Sequence, residues 1–96
     1  MPRAIWNSVV VAEGEACEAV EGCVYFPANA VEVEHLEPSG YGTVRPVRGR
    51  ARYFDLVAAD GTRARNAAWM YREPRAAAAG IRDHVAFRCP PVAIEP

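Results

Sequence analysis

The stretch Arg45–Tyr71, RPVRGRARYFDLVAADGTRARNAAWMY, decides the fold of this chain. Two apolar, β-prone runs flank the dipeptide Asp60-Gly61 within it. An Asp-Gly pair between two such runs is the strongest short-range signal for a β-hairpin. We therefore predict a central hairpin that turns at Asp60 and Gly61 through a two-residue type I′ turn.

This turn would set the pairing of the two strands and the faces of the hairpin. It places Val57 opposite Ala64 and Tyr53 opposite Ala68. Because side chains alternate along a strand, each strand contributes every second residue to a given face. One face carries Tyr53, Asp55, Val57, Ala68 and Met70, and the other carries Arg50, Arg52, Phe54, Leu56, Ala67, Trp69 and Tyr71.

Two interpretations compete for Trp69 and Tyr71, the large aromatic residues at the end of the hairpin. In the first they fill the core, as aromatic residues on strands usually do. In the second they wall a ligand pocket together with Tyr53, and Arg45 or Arg48 stands at its mouth. Guanidinium groups bind anions through paired hydrogen bonds, so the second interpretation predicts an anionic or planar small molecule.

Length, composition and charge bound the possible functions. The 96 residues predict a single domain, residues 1–96, with one modest core. The net charge of −1 argues against nucleic-acid binding, which requires a basic field. Every basic residue apart from the histidines is arginine, so a lysine nucleophile or Schiff base is excluded.

No segment reads as a signal peptide or a membrane span, so we expect a cytoplasmic protein, monomeric or homodimeric, without a membrane partner. The odd cysteine count, Cys17, Cys23 and Cys89, is no disulfide framework. No CxxC pair occurs, and His35 and His84 stand alone. We therefore expect neither a metal site nor another cofactor.

The remaining segments predict a mainly β fold, on the borderline of α+β, with two short helices. Prolines and glycines separate the segments, and alanines or a plausible N-cap mark the helices. The predicted strands are Ala4–Ala12, Ala16–Val20, Cys23–Phe26 and Ile81–Arg88 with a short edge in the last residues, and the predicted helices are Ala30–Leu36 and Arg75–Ala79.

Four segments of the chain resemble domain-of-unknown-function family 427: MPRAIWNSVVVAE, EGCVYFP, TVRPVRGRARYF and NAAWMYREPRAAAAGIRDHVAF. Trp69 and Tyr71 fall on its Ala-Ala-Trp-x-Tyr run. The resemblance implies a β-tent fold, a pair of antiparallel sheets that meet at an angle. Some proteins of that fold hold ligands in a cage of aromatic side chains, which is the analogy for Trp69 and Tyr71.

Two departures from the family pattern bear on chemistry. Arg45 stands where the family usually has a cysteine, and Arg48 where it has a lysine, so a cation is kept and a thiol is lost. The family sometimes carries a nucleotidyltransferase label. That reaction needs clustered carboxylates to hold magnesium, whereas Asp55, Asp60 and Asp83 are separated along this chain.

Three functions therefore stand open. The leading hypothesis is a metal-free domain that binds a small ligand through Trp69, Tyr71, Tyr53, Arg45 and Arg48. The first alternative is a small enzyme of unknown reaction that uses His35 or Cys89 for proton or thiol chemistry. The second alternative is a protein-interaction module that uses an exposed sheet edge.

Overall fold

The computed structural model describes residues 1–96 and contains two antiparallel sheets, so the predicted mainly β class with a pair of sheets is confirmed. The small sheet has the order β2-β1-β9 and consists of β1 (Arg3–Trp6), β2 (Val9–Glu13) and β9 (Ala93–Glu95). The large sheet has the order β3-β4-β8-β7-β6-β5 and consists of β3 (Glu18–Val20), β4 (Cys23–Pro27), β5 (Leu36–Arg45), β6 (Gly49–Val57), β7 (Arg63–Met70) and β8 (His84–Phe87).

The central hairpin forms between β6 and β7, but its turn is one residue longer than predicted. The Gly61 N–H donates to the carbonyl of Ala58 at 3.0 Å, and Gly61 has a φ of 89°. This is a three-residue loop built on a type I turn and closed by a left-handed glycine. Val57 consequently pairs with Arg63, and the predicted pairing with Ala64 is wrong.

A bulge in β7 then moves the pairing by two further residues. The register shifts between Phe54 and Leu56, because β7 contains two more residues than β6 over this interval. Asn66 lies in the bulge with a φ of 52°, in the left-handed region. Beyond the bulge Tyr53 pairs with Trp69, so these two share a face, and the predicted separation of Tyr53 from Trp69 is wrong.

The large sheet has an apolar cluster on each face. The first cluster lies between the two sheets and contains residues of both. The second lies on the opposite face of the large sheet, because successive side chains of a strand point to opposite faces. The first consists of Ala4, Trp6, Val11, Ala12, Phe26, Val31, Leu56, Ala67, Ala68, Val85, Phe87 and Val92. The second consists of Tyr25, Ala51, Tyr71, Ile81 and Ala86.

The segment predicted as one strand, Ala4–Ala12, is a hairpin. Asn7 and Ser8 have φ values of 54° and 63°, as the central residues of a type I′ turn do, and Trp6 pairs with Val9 across them. Because β-branched residues lie on both sides of the turn, the composition predicts one continuous strand and does not reveal the turn.

The predicted helix Ala30–Leu36 is also wrong. Its place is taken by two 3-10 turns, Ala28–Ala30 and Val33–His35, and Leu36 already begins β5. Val31, between the turns, forms a β-bridge with Ala12, so its burial against the small sheet overrides the weak helix propensity of a short valine-rich segment.

The predicted helix Arg75–Ala79 is a 3-10 segment, Ala76–Ile81, which buries only Ile81. The alanines favour a helix, but a segment this short gains little from propensity alone. No helix in the chain combines the length and the apolar character needed to cross a bilayer.

Candidate functional site

An open cleft of about 950 Å³ is bounded by β5, β6 and the end of β7. Its most distinctive residues are three arginines, Arg50, Arg52 and Arg72, all exposed. Arg50 and Arg52 are two residues apart on β6, and Arg52 pairs with Met70 on β7, two residues before Arg72. Residues two apart on a strand share a face, so Arg50 and Arg52 lie side by side, and Arg72, just past the end of β7, lines the same cleft.

The three arginines are free of internal counter-ions. None of their guanidinium groups is within 4.0 Å of a carboxylate, whereas Arg3, Arg48 and Arg63 all make ion pairs elsewhere in the protein. Asp83, whose φ is 56°, lines the same cleft without pairing to them. The cleft therefore holds more positive than negative charge.

The other end of the cleft is apolar. Phe54 follows Arg52 by two residues on β6, and both Phe54 and Met70 are half-buried because they pack against the cluster between the sheets. Pro38 pairs with Phe54 from β5. Gly42 pairs with Arg52, and a Cβ at this position would lie 3.1 Å from the Ala51 carbonyl oxygen, so the close approach of β5 to β6 favours glycine here.

The rim of the cleft is formed by an irregular part of β5, where the register shifts between Pro38 and Gly42. The Ser39 hydroxyl donates to the Tyr53 carbonyl at 3.2 Å and accepts from the Tyr41 N–H at 3.2 Å. The rings of Tyr41 and Tyr53 meet edge to face with centroids 4.9 Å apart. These contacts hold Ser39 and Tyr41 of β5 against β6.

Trp69 and Tyr71, two of the predicted site residues, lie on the other face of the sheet. Trp69 is half-buried; its indole N–H donates to the Tyr25 hydroxyl at 3.1 Å, and its ring lies 5.9 Å from that of Tyr53. Tyr71 is only 1% exposed. Tyr53, Trp69 and Tyr71 pack on one face around the second cluster, and among these only Tyr53 lines the arginine cleft.

Arg45 and Arg48, the predicted cations of the site, do not line the cleft. Arg45 is exposed at the end of β5, where it pairs with Gly49. Arg48 is largely buried and makes an ion pair with Glu21. The neighbouring Tyr71 hydroxyl and Glu21 carboxylate raise the pKa of Arg48, so its charge is already balanced.

Arg72 is the site residue that sequence reasoning did not single out. Its position in the cleft depends on the bulge in β7, which places Met70 opposite Arg52. The predicted register puts Arg50 and Arg52 on one face of the hairpin, but it places Trp69 there instead of Met70. The spacing of Met70 and Arg72 is visible in the sequence, but it places Arg72 near Arg50 and Arg52 only once the pairing of Met70 with Arg52 is known.

The candidate catalytic residues are engaged in backbone contacts. The imidazole Nδ1 of His35 contacts the Val57 carbonyl at 2.9 Å, so it must carry the proton and donate. The Cys89 thiol donates weakly to the Phe87 carbonyl at 3.5 Å. Burial, followed by the nearby Cys23, raises the pKa of Cys89, which lowers its thiolate fraction at neutral pH.

A second, smaller cavity of about 290 Å³ lies against Trp69 and is also lined by Cys23 and Cys89. These two and Cys17 are free thiols. No group of three or more histidine, cysteine, aspartate or glutamate side chains is arranged to hold a metal ion. The arginine cleft is therefore the only one of these two cavities with a charged binding surface of several side chains.

Comparison with curated proteins gave no match to this chain. A family model described as a domain of unknown function (DUF427) matches residues 3–95, which include both sheets and the whole arginine cleft. The chain therefore belongs to the DUF427 family.

Proposed function

We propose that this protein binds a small anionic molecule in the cleft of β5, β6 and β7, through Arg50, Arg52 and Arg72. The observation that carries the proposal is that these three arginines line one open cleft and that none of them has a counter-ion. In this proposal arginines rather than a metal ion hold the ligand.

The energetics of the empty cleft favour an anionic ligand. Residues two apart on a strand are separated by about 6.6 Å, so Arg50 and Arg52 repel each other in the absence of an anion. A carboxylate or phosphate between them replaces this repulsion with charge-assisted hydrogen bonds, which are about twice as strong as neutral ones. A positive cleft also raises the local concentration of anions and speeds their association.

The enzyme alternative has less support. His35 and Cys89 do not line the arginine cleft, and both polar groups contact backbone carbonyls. A general base needs the reacting proton within about 3 Å, and a nucleophilic thiol needs a lowered pKa. The pKa of Cys89 is raised instead.

The test is a titration calorimetry screen of the purified protein against nucleotides, sugar phosphates, inorganic phosphate and aromatic acids. Arg52→Gln removes one charge from the cleft and keeps most of the side-chain length. Arg65→Gln is the matched control, because Arg65 is an exposed arginine on β7 that does not line the cleft. We expect Arg52→Gln to weaken anion binding at least about tenfold, the size of one lost charge-assisted contact, and Arg65→Gln to change it by less than twofold.

Equal effects of the two substitutions would contradict the proposal, because they would show a response to overall charge and not to the cleft. Failure of every anion to bind at millimolar concentration would also contradict it. Salt dependence supplies an independent check, since binding through guanidinium groups should weaken between 50 mM and 500 mM sodium chloride.

A further inference from the structure

We infer that the ligand of the cleft is an aromatic oxyanion: one carboxylate or phosphate head attached to a flat apolar ring. This inference rests on the proposed function and names the class of molecule that the same site takes. The argument comes from the order of side chains along the cleft, which runs from charged to apolar.

The charged end of the cleft lies at the start of β6. On β6 the same face carries Arg50, then Arg52, then Phe54, and Met70 at the end of β7 pairs with Arg52. The chain continues beside β6 past the end of β7, where the Arg75 N–H donates to the Arg48 carbonyl at 2.9 Å, and there Arg72 lines the cleft with Arg50. Two neighbouring guanidinium groups can bind one oxyanion through paired hydrogen bonds.

The apolar end begins one row further along. Phe54 and Met70 are both half-buried, and Pro38 faces Phe54 from β5. Four residues of strand span about 13 Å, so the distance from Arg50 to Phe54 accommodates an anionic head with one or two fused rings. A sugar phosphate would place hydroxyl groups on Phe54 and Met70, where they would lose hydrogen bonds to water.

An aromatic body suits these residues better than an aliphatic one. Phe54 offers a ring for stacked or edge-to-face packing, and the Met70 sulfur makes favourable contacts with ring edges. Arg52, between the two ends, is placed to lie over a ring face as well as to bind the head. A single flat ring therefore contacts all three side chains at once.

The test compares ligands that share a head and differ in body. Dissociation constants are measured by titration calorimetry for inorganic phosphate, phenyl phosphate, 1-naphthyl phosphate and hexyl phosphate. We expect phenyl phosphate to bind at least about tenfold more tightly than inorganic phosphate, the gain expected from burying one ring, and naphthyl phosphate more tightly still. Hexyl phosphate should bind at least threefold more weakly than naphthyl phosphate.

Two variants locate the parts of the ligand. Arg52→Gln should weaken phosphate and phenyl phosphate alike, because both have the head. Phe54→Leu keeps an apolar side chain and therefore the fold, and it should weaken phenyl phosphate at least threefold while leaving inorganic phosphate unchanged. Circular dichroism of both variants confirms that the comparison is made on folded protein.

The outcomes separate the two proposals. If inorganic and phenyl phosphate bind with equal affinity and both respond to Arg52→Gln, the aromatic inference is overturned and the anion cleft stands. If hexyl phosphate matches naphthyl phosphate, the ligand is amphiphilic but not aromatic, and the inference is again overturned. If aromatic phosphates bind but ignore Arg52→Gln, or if neither the phosphates nor the aromatic acids bind at all, both proposals fall.

Discussion

The carboxylate of Asp55 accepts a hydrogen bond from the backbone N–H of Asn66 at 2.8 Å, directly across the central hairpin. Asn66 lies in the β7 bulge, where the ladder of backbone hydrogen bonds is interrupted, and Asp55 replaces the missing partner. The other carboxylate oxygen accepts from Arg63 at 2.8 Å. This buried carboxylate stabilises the bulge that places Met70 opposite Arg52, and so it supports the register of the arginine cleft.

Replacing Asp55 by alanine should cost about 3 kcal/mol of unfolding free energy. Asp55 is 5% exposed, and its removal leaves the Asn66 N–H without a partner and takes away a charge-assisted bond from Arg63. Urea unfolding measures the loss. Asp60→Ala is the matched control: Asp60 accepts from the Thr62 N–H at 2.9 Å, but it is exposed in the loop, so we expect a clearly smaller loss of unfolding free energy than for Asp55→Ala. Equal losses would show that Asp55 does not hold the bulge.

Asp55 should also make stability depend on pH in the acid range. The Asn66 N–H, followed by Arg63, lowers the pKa of Asp55 below its ordinary value of 3.8 against the opposing effect of burial. Because the folded pKa is the lower one, the stabilisation is complete above the unfolded value and is lost as the pH falls through the folded value. Between pH 5 and pH 2.5, unfolding free energy should therefore fall more steeply for the wild type than for Asp55→Asn. Parallel curves would contradict this assignment.

The turn at Asn7 and Ser8 offers a substitution that should stabilise the protein. Both residues have positive φ, and Ser8, at 63°, is exposed. Glycine adopts this conformation without the steric cost of a Cβ, and Asn-Gly is the preferred pair for a type I′ turn. We expect Ser8→Gly to raise the unfolding free energy by about 0.5–1 kcal/mol in urea unfolding. Ser8→Ala keeps the Cβ, so a gain of the same size in that control would refute the conformational explanation.

Thr43, at the cleft, carries a buried hydroxyl oxygen without a hydrogen-bond partner. Valine has nearly the same shape and no polar group to desolvate, and it suits a strand equally well. We expect Thr43→Val to stabilise the protein by about 1 kcal/mol, measured by urea unfolding. Thr43→Ser keeps the hydroxyl and removes a methyl group, so it should be less stable than the wild type. A destabilised Thr43→Val protein would show that the hydroxyl has a partner in solution.

Local signals predicted the parts of the fold that local geometry decides. The predicted strands Ala16–Val20 and Cys23–Phe26 leave Glu21-Gly22 between them as a turn, and Val20 does pair with Cys23 across these two residues. The central hairpin was located correctly from Asp60-Gly61. In each case the residues that specify the turn are adjacent in the chain, so the sequence alone is enough to locate it.

The faces of the hairpin were not predictable in the same way. They depend on the loop, which is one residue longer than the Asp60-Gly61 pair indicates, whereas the bulge at Asn66 adds two residues and so moves the pairing without exchanging the faces. A shift of one residue exchanges the faces of a strand. For that reason Trp69 was grouped with Arg50 and Arg52, and Met70 was placed away from them, whereas the structure shows the reverse.

Trp69 provides the last prediction, because the core and ligand-wall interpretations differ in what its removal does. The ring is half-buried, and its indole N–H donates to Tyr25. It lies on the face of β7 opposite Met70, so it is across the sheet from the arginines. We expect Trp69→Ala to cost about 2 kcal/mol of unfolding free energy, below the roughly 3–5 kcal/mol of a fully buried aromatic residue. Anion affinity should stay within about twofold of the wild type.

Trp6 supplies the matched control for this experiment. It is 6% exposed in the cluster between the sheets, so Trp6→Ala should show the full loss of roughly 3–5 kcal/mol. In the wild type, acrylamide should quench the fluorescence of Trp69 more strongly than that of Trp6, which single-tryptophan variants with phenylalanine at the other position separate. If Trp69→Ala abolishes anion binding while the protein stays folded, Trp69 walls the ligand site and the cleft of Arg50, Arg52 and Arg72 is not where the anion binds.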